Sequence, residues 1–435
     1  MLLAVSVAVV VVGMALCLVG FPEFRSRWWY IAGDNWFPVL QARFVYFGAT
    51  GVVFQGNVAT SALPGLAILY APAVALGDHL RLVQGLPYPV PRPTLWLVVG
   101  PEAFAIASFL VWGVDALATQ IGVLRSRRRV IALMLAFFVV IPTVQIAGHP
   151  EDCAALGLLC YALAAHLRGD HHKVGWWLAA AALMQTWIVL LCPLLLFATP
   201  YGRRFGMAAR ALLIPGVVFL LCLVGAPSDT WRQVVSEQPM VTSGQHTPWY
   251  AIAPRLTQYQ RVAGAPSRRW GTLVAVLLGL VGLRRPSPRM LLVVASAILL
   301  LRPFFETSDW GYFSMPGLVL AGVLAATTTR RHWWWVFIVA VVALSAPTYG
   351  YLYAAPQLNS WLFILLLAIV DGAVLAASVV LSRVRAPSPH QTGWPSMSAR
   401  LRLPDRGRST RLTTVRRPGA LWLERPIRRL RPSLL

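Results

Sequence analysis

The sequence predicts an all-α fold, a polytopic transmembrane helical bundle of about 10–12 membrane segments, and three observations point to it. Apolar stretches of roughly 17 to 25 residues, the length that crosses a hydrocarbon core about 30 Å thick, recur from Leu2 to Leu381. Of the 435 residues, 57% are hydrophobic and 12% charged, a balance that would leave a soluble domain with large exposed apolar patches. Short arginine-rich loops alternate with loops rich in Trp, Pro and acids. The apolar stretches lack the period-two alternation of barrel strands, so helices are left to satisfy the backbone inside lipid.

The net charge of +23 would suggest nucleic acid in a soluble protein, but here it follows the loops. Lys173 is the sole lysine, and arginine supplies the rest. The basic loops are Arg125–Arg129, Arg168–Lys173, Arg203–Arg204, Arg284–Arg285 and Arg330–Arg331. The positive-inside rule makes them cytoplasmic, with no nucleic-acid partner implied. Cys17, Cys153, Cys160, Cys192 and Cys222 lie in or beside apolar spans without CxxC spacing, and read as small buried side chains. The first twenty residues lack a basic n-region and an A-x-A-like cleavage site, so a retained first span is expected. The expected location is a bacterial-type cytoplasmic membrane.

Leu2 to Gly20 reads as the first span and Leu95 to Val123 as the next, leaving residues 21 to 93 as one long outer loop. Within that loop Ala62 to Leu76, interrupted by Pro64 and Pro72, reads as a juxtamembrane or re-entrant helix. Val130 to Ala147 goes outward and Cys153 to Leu167 returns, with His149-Pro-Glu-Asp152 as the turn between them. Val174 to Thr199 has basic groups on both sides and is expected to be a pair of short helices broken near Gln185 to Trp187. Phe205 to Gly225, Trp270 to Leu283, Met290 to Leu301, Pro316 to Thr328, Trp333 to Tyr349 and Trp361 to Leu381 complete the spans, and both termini come out cytoplasmic. Residues 1–382 thus form the membrane domain. Residues 383–435 carry thirteen Arg against Asp405 and Glu424, and read as a disordered cytoplasmic tail attracted to anionic lipid head groups.

Acids in or near a bilayer are costly, so those on the outer face are the candidates for chemistry. Asp34, near Trp28, Trp29 and Trp36, suits a general base for a sugar hydroxyl, with the aromatics stacking on the ring; a helix N-cap is the other reading. His149, Glu151 and Asp152 can orient an acceptor, move a proton or contribute to a divalent-metal site, although adjacent carboxylates alone are weak metal signals. Pro150 and the acids also make an ordinary helix start. Arg302 leaves an apolar span and can grip a phosphate bidentately, or snorkel as an interfacial anchor. Asp309 and Tyr312 follow it on the same face, and the second outer loop, residues 226 to 269, adds Glu237, His246, Trp249, Tyr250 and Arg255. Glu102, Asp115 and Asp371 inside the spans suit a transporter's proton relay, or pairing with a neighbouring Arg. Walker A, GxGxxG, HExxH and GxSxG patterns are all missing.

This layout resembles the GT-C class of polyprenyl-phosphate-sugar-dependent glycosyltransferases, in particular the actinobacterial mannosyltransferase-like integral membrane proteins. The resemblance rests on Asp34, the Leu63–Pro72 segment, Gly148-His-Pro-Glu-Asp152, Gln185-Thr-Trp187, and Asp309 to Tyr312 before a Pro-started span. It spans roughly residues 1 to 350. Gly65 replaces the second Pro of that group's Tyr-Pro-Pro segment, and the Lys expected beside Gln-Trp is missing. The resemblance implies a polyprenyl-phosphate sugar donor, mannose foremost, with its phosphate held by Arg302 or Arg255. It implies inverting transfer to a glycolipid or lipoglycan acceptor, Asp34 as base, and no cofactor. A transporter or flippase of lipid-linked or small polar substrates is the alternative from another class.

Overall fold

Long apolar runs leave a chain in lipid only its own backbone to bond with, and here they fold as helices. A computed structural model describes residues 1–19, 35–54, 63–82, 95–231, 234, 264–283, 287–305, 311–327, 369, 372–374 and 376. Among them, all regular structure is helical. In chain order the helices are α1 (Leu2–Val19), α2 (Trp36–Tyr46), α3 (Gly65–His79), α4 (Trp96–Ala107), α5 (Phe109–Gln120), α6 (Arg125–Leu135) and α7 (Pro150–Leu167). They continue as α8 (His171–Met184), α9 (Cys192–Ala198), α10 (Tyr201–Gly225), α11 (Pro227–Thr230), α12 (Gly264–Leu283), α13 (Pro288–Leu301) and α14 (Met315–Ala325).

Among the described residues, three helical stretches are long and apolar enough to cross a membrane: Trp96–Gln120, Arg125–Ala147 and Tyr201–Gly225. They make the chain a multi-pass membrane protein. The first joins α4 to α5 through a hitch at Ser108, whose hydroxyl donates to the Phe104 carbonyl at 2.8 Å, a back-bond that bends helices. The second begins with the basic cluster, expected as a loop, which folds as the first turn of α6. Arginine is a good helix former, and partners outside the helix hold these side chains. Arg128 pairs with Asp115 at 3.0 Å and also reaches Thr119, while Arg127 donates to the Ala326 carbonyl at 2.8 Å.

Helix α7 forms the centre of the packing, buried along almost its whole length between α5 and α8. The α5–α7 crossing brings backbones together at Gly113 and Gly157, where a Cβ on Gly113 would run into the Gly157 carbonyl. Small residues at such crossings let membrane helices gain close van der Waals contact. Helix α8 packs in turn on α10, and α13 on α14. Helix α8 stops at Met184 because Gln185 is extended (φ −149°, ψ 133°); a 3-10 turn, Thr186–Leu191, then leads into α9. The expected break near Gln185 to Trp187 is there. Helix α3, about 22 Å long, is too short to cross by itself and packs on α2, with Arg43 and Asp78 paired at 3.5 Å. Gly65 at its start abuts the Leu183 carbonyl, which sets α3 against the end of α8.

All these residues belong to one unit, Met1–Arg385. The five cysteines are free; four are buried and Cys192 is half-buried, in keeping with their reading as small packing residues. Most of the two long outer loops, the expected spans Trp333–Tyr349 and Trp361–Leu381 in all but a few residues, and the tail lie outside the described residues.

Candidate functional site: a buried acid–imidazole turn

The turn between α6 and α7 is shaped by its backbone. Two π-helical segments, Ala136–Val140 and Thr143–Ala147, widen the end of the second crossing stretch. Such turns occur often at functional sites. Gly148 then takes a left-handed conformation (φ 75°) open to glycine without strain, and the His149 amide reaches back to the Thr143 carbonyl at 3.0 Å. Pro150 opens α7, followed at once by Glu151 and Asp152.

The two acids do more than complement a helix dipole. Glu151 and Asp152 are only 6% and 4% exposed, and each side chain has a partner from elsewhere. Glu151 Oε1 lies 2.8 Å from His149 Nδ1 and 3.4 Å from Gln185 Nε2. Asp152 Oδ1 accepts from Trp187 Nε1 at 2.8 Å. Both outside donors come from the break after α8, so the interruption of that helix serves the turn. One ligand atom from each of His149, Glu151 and Asp152 can be chosen so that all lie within 4.8 Å of one another.

Arg302 joins this group through Trp187. Its guanidinium carbon sits 5.5 Å from the Trp187 ring centroid and 4.5 Å from that of Phe313, and the residue is 9% exposed. Arg302 directly follows α13 and starts the 3-10 turn Arg302–Phe305. Its positive charge there complements the helix dipole, while the two rings screen it from lipid. At 9% exposed, Arg302 is packed inside the protein rather than reaching out as a surface anchor.

A second polar cluster lies alongside. The Tyr70 hydroxyl donates to Asn35 Oδ1 at 3.0 Å, and burial above all, with Glu151 and Glu102 nearby, pushes its pKa up. Four buried polar atoms, Asn35 Nδ2, Glu102 Oε2, Gln145 Nε2 and Glu151 Oε2, have no hydrogen-bond partner among the described residues. Buried polar groups are rarely left unbonded, so such atoms call for an explanation.

Of the residues singled out in the sequence, Asp152 and Arg302 therefore meet at Trp187, and His149 and Glu151 pair beside Asp152 in the same turn. Trp36 begins α2, and Tyr312 lies in the 3-10 turn Gly311–Ser314 beside Phe313; for these two only the backbone is described. Asp34, His246, Arg255 and Asp309 lie outside the described residues, as does Asp371. Asp115 is engaged by Arg128 and stands about 20 Å along its helix from Glu102, too far for a proton to pass directly between them. Tyr70 and Asn35 were not singled out. Tyr70 sits in an apolar run with no local mark of a role, whereas Gln185 and Trp187, polar atoms in an apolar stretch, did carry a signal.

Fold and site together define a multi-pass, all-α membrane protein with buried acids, an imidazole and a guanidinium gathered at one end of its central helix. No family model matches the chain, and neither a curated protein nor a solved structure does.

Proposed function

We propose that the protein is a membrane glycosyltransferase that moves a sugar, mannose foremost, from a polyprenyl-phosphate donor to a lipid-linked or cell-envelope glycan on the non-cytoplasmic face, with inversion. One observation carries this reading: Tyr70, bonded to Asn35 and electrostatically near Glu102 and Glu151, gathers residues with unpartnered buried polar atoms beside a turn whose Asp152 is linked through Trp187 to Arg302. Sugar hydroxyls both donate and accept, so Asn35 Nδ2 and Glu102 Oε2 match a polyol. A guanidinium framed by aromatic rings suits a lipid-borne phosphate, which it would bind and stabilise as the leaving group.

In this reading Asp34, adjacent in sequence to Asn35, is the general base. It takes the proton of the acceptor hydroxyl as that oxygen attacks the anomeric carbon, and polyprenyl phosphate leaves with the bonding pair. His149, Glu151 and Asp152 orient the acceptor. His246, Arg255, Asp309 and Tyr312 complete the substrate contacts, and Trp36 stacks on the sugar. The energy resides in the donor bond, so no nucleotide is consumed.

The test is transfer of labelled sugar from polyprenyl phosphate to membrane acceptors by purified protein in nanodiscs. Asp34→Asn keeps shape and removes basicity, so turnover is expected to fall about a hundredfold to ten-thousandfold with donor binding retained. Arg302→Ala is expected to weaken donor binding as well. If Asp34→Asn stays fully active while Glu151→Gln or Asp152→Asn abolishes transfer, the base lies in the turn. If the donor is neither bound nor consumed and proteoliposomes instead show uptake, the transporter reading replaces this one.

A further inference from the structure

We propose that His149, Glu151 and Asp152 form a binding site for a divalent cation of the Mn²⁺ class. The three residues offer one imidazole nitrogen and two carboxylate oxygens within 4.8 Å of one another. The 2.8 Å between His149 Nδ1 and Glu151 Oε1 fits a hydrogen bond. It is also close to the spacing of about 3 Å between neighbouring ligands bound at about 2.1 Å around one ion. Mixed imidazole and carboxylate ligation suits Mn²⁺ and its neighbours better than Ca²⁺, which takes oxygen alone, or the thiolate-loving metals.

Two further observations point to an ion. First, the site is built around its ligands: Trp187 holds Asp152 and Gln185 holds Glu151, both from the break after α8. Such outer donors fix ligating carboxylates in a metal centre. Secondly, Glu151 is 94% buried by its 6% exposure, and its Oε2 takes no hydrogen bond among the described residues. The donors from Gln185 and Trp187 are neutral, and His149, 2.8 Å from Glu151, can offset the charge of only one of the two buried carboxylates. Burying charge without compensation is expensive, and one divalent ion would balance both acids and give Oε2 a partner.

The proposal does not depend on sugar transfer and is tested by binding. The full-length chain, purified in detergent and stripped with EDTA, is titrated with Mn²⁺ and followed by electron paramagnetic resonance. One bound ion per chain is expected, with nitrogen coupling from an imidazole in pulsed spectra. Glu151→Gln and Asp152→Asn should each weaken binding at least tenfold, and His149→Ala should remove the nitrogen coupling. Asp170→Asn, on the exposed turn before α8, should change nothing. Because the acid variants could fail to fold, thermal unfolding is read as well: Mn²⁺ should raise the melting temperature of the parent protein, and by clearly less that of His149→Ala, whose side chain is 20% exposed. Absence of a bound ion, an ion without nitrogen coupling, or binding that survives all three substitutions would overturn the site. Transfer by a protein that binds no Mn²⁺ in the titration refutes the ion and leaves the transferase; a bound ion without transfer does the opposite.

Discussion

Trp187 touches two oppositely charged groups at once, giving its N–H to Asp152 and its ring face to Arg302. Trp187→Phe keeps an aromatic surface for the guanidinium and removes the donor. Asp152 then loses a buried partner, a change that costs about 1–3 kcal/mol. The expected outcome is a lower melting temperature in detergent and a Mn²⁺ affinity reduced about ten- to a hundredfold, the usual effect of losing an outer hydrogen bond at a metal. Unchanged stability and affinity would mean that the indole N–H contributes nothing to the turn. At this scale the sequence shows His149, Glu151 and Asp152 because they are nearly contiguous and stand out in apolar surroundings. It shows Arg302 for the same reason. The pairing of Asp152 with Trp187 joins residues 35 apart, and no local pattern encodes it. Tyr70 is harder still, since an aromatic ring in an apolar helix looks like packing until Asn35 is found on its hydroxyl.

Glycines carry the element scale, because they decide how closely the central helices approach. Gly157→Val would drive a side chain into the backbone of Phe109 and Leu110 on α5, a contact that no rotamer change relieves. Overpacking of this kind costs about 1–3 kcal/mol, and the α5–α7 crossing would have to splay. The matched control is Gly216→Ala on α10, where an added Cβ meets nothing within 4 Å. That change should be neutral or stabilise by up to about 1 kcal/mol, since alanine is the better helix former. Size-exclusion profiles and melting temperatures of the two variants check the contrast, and equal behaviour would remove Gly157 from the packing argument. Helix boundaries were legible where hydropathy changes sharply: Val130 to Ala147, Cys153 to Leu167 and Phe205 to Gly225 all fall inside observed helices. The break at Gln185 was legible too, from basic groups on both sides of one apolar run. The helical start of α6 was not, because charge marks a membrane boundary and says nothing about where hydrogen bonding begins. Its arginines are held by Asp115 and Ala326, partners that only tertiary structure supplies.

At the scale of the molecule, the turn at His149 and the cluster at Arg125 mark opposite ends of one crossing stretch, Arg125–Ala147. Whatever side Arg127 faces, the candidate site faces the other. The positive-inside rule predicts that Arg127 is cytoplasmic, and the proposed transfer, with its donor in the outer leaflet, requires that orientation. Single cysteines report it directly. Four of the five native thiols are buried and Cys192 is half-buried, so a bulky membrane-impermeant maleimide should find little background without their removal. Arg127→Cys should label only after cells are opened, whereas Gln245→Cys and Ser308→Cys, at positions the sequence predicts to be on the outer face, should label in intact cells. Labelling at 127 from outside would invert the whole arrangement, place His149, Glu151 and Asp152 on the cytoplasmic face, and end the case for an outer-leaflet sugar donor. Labelling at 245 but not at 308 would break the alternation between α12 and α14, and with it the placement of Asp309 and Tyr312 on the same side as the turn.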